Sequence, residues 1–516
     1  MSQPAVLTPA KPVSESELPL PAFALAFLAA AMFALTSRYP GYVHHDTAEI
    51  AMWSTLGWPL GLPKHPPFLP WLFRVYSYVV PLNWVSIGVL TAGNIVLGAW
   101  AVYQIARLAL DERRAALAAF LYGLAPAGTF FALKLNHNGI LVSLWPLTIL
   151  AFLICLKAKT TVRSLVAGHA FGAMAAAGML AKYYTGVLLA SCVLAWIASP
   201  QRDRFLRGPG GYAAVLTFAL LFAPHALWMW NESGGTTLSY ALHATERESW
   251  PLLHFVTMTP LYLIPPIAGY LVLRRWIGSP TPGTTSVSAL PELAVLSLAP
   301  FLLTAAFIAT FKLRGATSWS LPDFCVVPVV FASTLAIPSG AALATLKRIA
   351  GALLVTVALL GPVVLAVAFE LDDPNAVEPR AEVAIRAGRI FEAATGRPVA
   401  FVAGDPQSAN SAALAIPSRP LVFSNFDLAS APWATPEAIA RNGLLIICRP
   451  RTGCDELAEA FARNRRRFGI HHIQQRGWRG RSGPLVHFTV IVIPPEGSTL
   501  DQAAWDAAVT KAGASP

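Results

Sequence analysis

Hydrophobic positions in this chain form long unbroken runs, separated by short polar or charged connections. Runs of roughly 16 to 22 apolar residues match a bilayer core about 30 Å thick. An apolar segment at 66–81 follows a proline pair and is predicted as an interfacial helix. We predict about eleven membrane-spanning helices, near 20–36, 83–106, 115–131, 139–156, 165–181, 183–198, 212–230, 255–273, 290–311, 319–337 and 349–369.

Composition supports this interpretation. The chain is 55% hydrophobic and only 13% charged, with a mean hydropathy of +0.54, whereas soluble domains carry about 25% charged residues. We therefore predict a polytopic α-helical membrane protein. Residues 1–19 are polar and proline-rich, without the basic start and cleavage site of a signal peptide, and are predicted to be a retained cytoplasmic tail. The net charge of +11 is interpreted mainly as topology information.

Loop charge predicts the orientation of the chain in the membrane. With the N-terminus in the cytoplasm, the outer loops are sparse in positive charge. This bias places the first outer loop, 37–82, and the region 371–516 on the outer, periplasmic side of a bacterial inner membrane. The predicted cytoplasmic loops are richer, with Arg113 and Arg114, Lys157, Lys159 and Arg163, Arg202, Arg204 and Arg207, Arg274 and Arg275, and Lys347 and Arg348.

Residues 371–516 differ in character from the membrane domain, 20–370. "RPVAFVAGD", "RPLVFSNFD" and "GLLIICRP" are short β-rich runs, and "PRAEVAIRAGRIFEAATG" is typical of an amphipathic helix ending at glycine. We predict a small α/β domain. Cys448 and Cys454 flank a turn in it. An oxidising compartment permits a disulfide there, but the pairing depends on a Cα spacing that the sequence leaves open.

Two carboxylates stand out in the first outer loop, in the stretch "HHDTAEIAMWSTLGW". Asp46 and Glu49 are three residues apart and share a face if this stretch is helical. Ile50, Trp53 and Leu56 would then face lipid or protein. Asp46 has two alternative roles: it caps the helix, as aspartate often does, or it carries chemistry.

The corner "PKHPPFLPWL" follows in the same loop. Pro66 and Pro67 suit the start of a helix. Lys64 and His65 either lie at the level of the lipid headgroups or bind a phosphate, and the sequence favours neither.

Three further outer turns carry polar side chains. Two of these residues have structural alternatives to a functional role. Asn138 caps the following helix, or Lys182 extends its side chain to the membrane interface. The second alternative follows because a lysine at mid-bilayer costs about 2.5–3.5 kcal/mol. Convergence of cations and amides around one acidic stretch nevertheless predicts a pocket for a membrane-bound phosphate, with a carboxylate as base. The contributing residues are Asn136, His137 and Asn138, then Lys182 and Tyr183, then Lys312, Arg314 and Trp319.

A basic run, "RNRRR" at 463–467, lies in the C-terminal region. It is either a solvated helix face or a contact for an anionic glycolipid. Nucleic acid is not expected as a partner, because this region is predicted to face outward.

Several of these segments resemble those of a known protein family. "DTAEIAMWSTLGWPLGLPKHPPFLPWL", "GMLAKYYTGVLL" and "KLRGATSWSLPDF" resemble segments of bacterial members of the protein-mannosyltransferase-like superfamily. "PVAFVAGD", "RPLVFSNFD" and "APWATPEAIARNGLLII" are similar to the subgroup of lipopolysaccharide-modifying galacturonic acid transferases, and more distantly to aminoarabinose transferases. "GLPKHPP" departs from the usual Gly-Tyr before the Pro-Pro corner.

The resemblance implies a GT-C membrane glycosyltransferase. Asp46 would be the catalytic acidic residue and Glu49 its neighbour, while the donor phosphate would be bound by Lys64, His65, Lys182, Tyr183, Lys312 and Arg314. Asn136, His137, Asn138 and Trp319 would line the acceptor pocket. No cofactor is certain; a divalent metal on Asp46, Glu49 or His65 is left open.

The implied activity is inverting transfer of a hexosyl or pentosyl group from a polyprenyl-phosphate carrier within the bilayer. The acceptor would be lipopolysaccharide, lipid A or another envelope glycan. Two alternatives are a transporter or flippase of a polyprenyl-linked lipid, and a protein O-mannosyltransferase-like activity.

Overall fold

The computed structural model is mostly helical, with one small sheet near its C-terminal end. It describes residues 20–126, 129–232, 250–280, 291–311, 317–449, 452–462, 470–476 and 482–498, together with 503 and 507.

Helices occupy most of the first 370 residues. Short 3₁₀ turns at Ser54–Leu56, Phe131–Leu133, Thr259–Leu263 and Thr317–Ser320 connect some of them. The α-helices are α1 Leu20–Thr36, α2 His45–Trp53, α3 Phe68–Ser77, α4 Trp84–Arg107, α5 Glu112–Gly123, α6 Leu141–Leu156, α7 Thr161–Ala181, α8 Thr185–Ala198, α9 Arg202–Arg207, α10 Pro209–Asn231, α11 Pro251–Met258, α12 Ile264–Ile277, α13 Pro291–Phe311, α14 Val327–Ser333 and α15 Gly340–Glu370.

Among the described residues, six helical segments are long and apolar enough to cross a membrane: α4, α7, α10, the stretch Pro251–Ile277, α13 and α15. Three shorter apolar helices, α1, α6 and α8, accompany them. These nine coincide with nine of the predicted runs. Which side of the membrane each loop faces remains a prediction.

The predicted spans at 115–131 and 319–337 are wrong as single long helices. The first is replaced by the 12-residue α5, which ends at Gly123, ahead of Pro126. The second contains only the 7-residue α14, which carries Pro328 in its first turn. Prolines break or restart helices at both places because they lack the backbone donor. The two short helices pack against each other, so the count of eleven is not confirmed.

The first outer loop contains two short helices, α2 and α3. Helix α3 lies within the segment 66–81 and follows Pro67 at its N-cap; its place at the membrane interface stays a prediction. Ile50 and Trp53 of α2 are buried within the protein rather than turned to lipid, each 1% exposed. The helix that carries both carboxylates is therefore held in place by packing on its apolar face.

The described part of the C-terminal region contains α-helices and a β-sheet. Its five-stranded sheet has the order β2-β1-β3-β5-β4, in which β1 pairs in parallel with β2 and β3, and β5 pairs antiparallel with β3 and β4. Its elements are α16 Pro374–Val377, α17 Arg380–Thr395, β1 Phe401–Gly404, α18 Pro406–Ala415, β2 Leu421–Ser424, α19 Pro436–Asn442, β3 Leu444–Cys448, α20 Cys454–Ala462, β4 Ile470–Arg476 and β5 Ser482–Ile493.

A disulfide joins Cys448, at the end of β3, to Cys454, at the start of α20, with Cα atoms 5.5 Å apart. That spacing is typical of disulfides. The remaining cysteines, Cys155, Cys192 and Cys325, are buried and unpaired.

The α/β unit docks on the first outer loop. Helix α18 packs directly against α2. Tyr42 donates its hydroxyl to the side chain of Asn375 at 2.8 Å, and the Arg419 guanidinium donates to the carbonyl of Leu82 at 2.6 Å. The helix with the two carboxylates thus lies between the membrane helices and the C-terminal unit.

Candidate active site

Asp46 lies in the first turn of α2 and does not cap it. The N-cap is His44, whose Nδ1 accepts a hydrogen bond from the Asp46 backbone N–H at 3.3 Å. The capping alternative for Asp46 is therefore wrong, since Asp46 lies inside the helix and His44 occupies the N-cap position. The Asp46 carboxylate receives the side-chain amide of Asn136 at 3.1 Å and lies 3.1 Å from Nε2 of His45.

This surrounding keeps Asp46 ionised. Burial alone would raise the pKa of the carboxyl, but the hydrogen bonds from His45 and Asn136 hold the pKa below its usual range. Burial lowers the pKa of His44 to about 3, so its imidazole is neutral at physiological pH. The Asp46 side chain is 41% exposed, so an accessible carboxylate results.

Glu49 forms an ion pair one turn further along α2. Nζ of Lys64 lies 2.7 Å from its Oε1, and the two side chains are only 12% and 21% exposed. Burial raises the pKa of Glu49, against the attraction of Lys64. The pair joins α2 to the corner before α3. A catalytic role for Glu49 and a phosphate contact for Lys64 stay predictions.

Two histidines stack behind the ion pair. The rings of His65 and His137 are 4.0 Å apart, and Trp53 packs near both. Nδ1 of His137 lies 2.9 Å from the carbonyl of Ala181. Burial lowers the pKa of His137 to about 4 and that of His65 well below its usual value. Both rings are therefore neutral at physiological pH, and His65 would meet a phosphate as a neutral donor rather than as a cation.

Lys182 supplies the nearest cation from another element. It is the C-cap of α7, and its Nζ donates to Oδ1 of Asn138 and lies 4.7 Å from the ring centre of Trp319. Burial lowers the pKa of Lys182 to about 7, although the charge of Asp46 opposes that shift. The predicted phosphate contact and the predicted pocket residues are thus brought together here.

Asn136 connects these loops. Its side-chain oxygen accepts the backbone N–H groups of Asn138 and Gly139, both at 3.0 Å, and its amide donates to Asp46. One side chain therefore shapes the turn that presents Asn138 to Lys182 and also holds Asp46.

Tyr183 turns to a different partner. Its hydroxyl lies 2.7 Å from Nε2 of His225 on α10, and Nδ1 of that histidine lies 2.6 Å from the carbonyl of Leu60. The predicted phosphate contact of Tyr183 is not tested by this arrangement. Lys312 and Arg314, and the basic run at 463–467, lie outside the described residues.

Four residues near the site were not assigned by sequence reasoning. His44 and His45 contact the Asp46 carboxylate. Their position directly before Asp46 in the sequence was the feature that could have indicated this contact. Tyr184 donates its hydroxyl to Asp323, with distances of 2.9 and 3.0 Å to the two carboxylate oxygens, and Asp323 is fully buried. Tyr184 and Asp323 are far apart in the sequence, and no local pattern indicated that their side chains pair.

The predicted metal set of Asp46, Glu49 and His65 is not the group that the structure gathers. In the part of the chain that is described, the group with metal-ligand spacing is His44, His45 and Asp46, whose candidate ligand atoms lie within 4.8 Å of one another. Imidazole and carboxylate suit zinc or manganese, so these donors fit a divalent ion, while Glu49 is committed to Lys64.

Comparison with known proteins bears on this geometry. A family model described as dolichyl-phosphate-mannose-protein mannosyltransferase matches residues 64–228, about a third of the chain. This part of the chain is similar to the protein-mannosyltransferase family. The match includes Lys64, Asn136 and Lys182 and begins after Asp46. Among curated proteins, no related sequence is found.

Solved structures of two membrane enzymes are similar over most of the chain. An arabinofuranosyltransferase from Mycobacteria has 13% identity and a TM-score of 0.49, covering 92% of this chain and 40% of its own length. The chain thus spans less than half of that protein. An oligosaccharyltransferase from Archaeoglobus fulgidus has 11% identity and a TM-score of 0.43, with 94% and 76% covered. Neither likeness is close enough to carry a conclusion about fold or activity.

Proposed function

We propose that this protein is an inverting glycosyltransferase of the cytoplasmic membrane. It transfers a sugar from a polyprenyl-phosphate carrier to an acceptor on the outer side. The single observation that carries the proposal is the Asp46 carboxylate, ionised, partly exposed and held by Asn136 and His45, with the cation of Lys182 in its electrostatic range.

The proposed reaction uses these groups in sequence. Asp46 accepts the proton of the acceptor hydroxyl, and the hydroxyl oxygen forms a bond to the anomeric carbon of the donor sugar. The bond from that carbon to the phosphate oxygen breaks on the opposite face, so the configuration inverts. The electron pair leaves on the polyprenyl phosphate, whose charge Lys182 and the Lys64 corner stabilise. A divalent ion on His44, His45 and Asp46 would add positive charge there.

The donor class is supported by the matched family, whose description specifies a dolichyl-phosphate sugar. Polyprenyl phosphates are long-chain lipids, and the candidate site lies where α7, α8 and the first outer loop meet, at the ends of apolar helices. We assign a hexose or pentose as the transferred sugar and lipopolysaccharide, lipid A or another envelope glycan as the acceptor.

A second candidate is transfer of mannose to a protein hydroxyl, which the description of the matched family favours. A transporter is disfavoured by the positions of the polar groups. Lys182 is the C-cap of α7 and Tyr184 the N-cap of α8, whereas transporter sites lie near mid-membrane at broken helices.

Mass spectrometry of the cell envelope tests the proposal. Glycolipids are compared from cells that lack the protein, cells with the wild type and cells with Asp46→Asn. We expect a sugar-sized mass increment only with the wild type. An increment on proteins instead would establish the second candidate, and identical glycolipids and proteins in all three strains would reject glycosyl transfer.

A further inference from the structure

A cavity of about 620 Å³ lies apart from the Asp46 cluster, between the first outer loop and the C-terminal unit. The loop contributes Tyr39–Tyr42, the start of α4 contributes Trp84, and the rest of the wall comes mainly from α17. A volume of this size accommodates a short oligosaccharide, since ligand cavities typically measure about 300–1,000 Å³.

One wall of the cavity is aromatic. Tyr39, Tyr42 and Trp84 all line it. Tyr42 is held in place, since its hydroxyl donates to Asn375 and the Arg380 guanidinium lies 5.7 Å from its ring centre. Flat amphipathic rings with polar tips suit a ligand that presents both C–H faces and hydroxyl groups, as a sugar does.

Arginines of α17 also line the cavity, together with Glu378 and Glu382. Arg386 and Arg389 are three residues apart on α17 and share one face. Arg386 is paired with Glu382, but Arg389 is exposed and makes no hydrogen bond or ion pair within the described part of the chain. Arg380, deeper in the wall, is paired with Glu378. Arg389, which is exposed at the rim, is therefore the first cation that a ligand would meet, and Arg386 is the next along the same face.

The cavity shares its supports with Asp46. Ser411 of α18 lines the cavity, and α18 packs directly against α2, the helix of Asp46. Tyr42 and Asp46 also belong to one short segment of the first outer loop. A chain of sugars bound in the cavity is thus held by the same elements that position the carboxylate.

From these contacts we propose that the cavity is the binding site for an acidic portion of the acceptor, a sugar that carries a carboxylate or phosphate group. The aromatic wall would contact the sugar rings and Arg389, with Arg386, would bind the negative group. Arginine suits this task because its planar donors match the geometry of both anions. This inference rests on the proposed function.

Binding to the full chain tests the inference. The protein is placed in phosphatidylcholine nanodiscs and titrated with fluorescently labelled trigalacturonate, with labelled maltotriose as the neutral comparison. We expect Arg389→Ala to weaken trigalacturonate binding roughly tenfold, as loss of one charged hydrogen bond does. Arg386→Ala combined with Arg389→Ala should weaken it further. Arg441→Ala, an exposed arginine of the same unit outside the cavity, should bind like the wild type.

The outcomes separate this inference from the proposed function. Equal binding by wild type and both cavity variants would overturn the site, even if Asp46→Asn still abolished sugar transfer. Loss of binding only in the cavity variants supports the site, and it would do so even if the wild type transferred no sugar. Displacement of trigalacturonate by phosphatidylglycerol in the nanodiscs would reassign the site to a lipid headgroup and reject the glycan.

Discussion

The side-chain amide of Asn136 donates to the Asp46 carboxylate at 3.1 Å, across ninety residues of sequence. The same side chain accepts two backbone N–H groups of its own turn. Asn136 therefore fixes the geometry between two loops that are distant in sequence, and the position of the proposed base depends on it.

Replacement of Asn136 tests this dependence. We expect Asn136→Ala to reduce kcat by roughly ten- to a hundredfold, because a misplaced base loses much of its contribution. The acid limb of the rate profile should move to higher pH, since loss of a donor to the carboxylate raises the pKa of Asp46. The measurement is sugar transfer from a polyprenyl-phosphate donor as a function of pH.

Asn136→Asp is the matched control. It keeps the acceptor for the backbone N–H groups but places a second carboxylate against Asp46. If the turn alone mattered, this variant would retain activity; we expect it to be at least as impaired as Asn136→Ala.

Asp46 itself is tested in purified protein. Asp46→Asn should lower transfer by about 10²–10⁴-fold, the usual contribution of a general base. Asparagine is nearly isosteric, so thermal unfolding and behaviour on size-exclusion chromatography should stay like the wild type. Turnover at the wild-type rate would remove Asp46 from the mechanism.

Donor binding should depend on pH through Lys182. Because burial places the pKa of this lysine at about 7, it is charged below that pH and loses its charge above it. Affinity for a polyprenyl-phosphate sugar should therefore fall as the pH rises from 6 to 9. Lys182→Arg, which stays charged, should show a flatter profile, and Lys182→Gln should bind weakly throughout. Parallel profiles for wild type and Lys182→Arg would exclude Lys182 as the titrating group.

The buried pair of Glu49 and Lys64 should behave as a unit. Lys64→Met leaves an uncompensated carboxylate and should cost about 3–5 kcal/mol of unfolding free energy. Glu49→Gln combined with Lys64→Met removes both charges and should recover at least half of that loss. Denaturant unfolding in mixed micelles measures both, and equal losses in the single and double variants would show that the charge pairing is not the cause.

The disulfide of Cys448 and Cys454 should form in cells. Only after reduction should these two cysteines react with a thiol-specific polymer reagent, while the buried Cys155, Cys192 and Cys325 stay protected. Replacing both partners with serine should cost about 2 kcal/mol, because the closed loop is short. Labelling without a reductant in intact cells would contradict the pairing.

Much of the architecture was evident from the order of residues. Apolar run lengths predicted six long and three shorter apolar helices of the described residues, and the change in composition near residue 371 led us to predict an α/β unit. The two failures, at 115–131 and 319–337, have one cause. Hydropathy averages over a window, whereas Pro126 and Pro328 act at single positions to end or restart a helix.

The sequence by itself determined which residue types lie at the ends of the apolar helices, because hydrophobic length sets where polar residues emerge from a membrane. It singled out Asp46, Lys64, Asn136 and Lys182. Only the tertiary structure decided their partners: His44 rather than Asp46 caps α2, Glu49 is neutralised by Lys64, and Asn136 holds Asp46. Those contacts join segments far apart in the chain, and they follow from helix packing and from burial, neither of which local patterns encode.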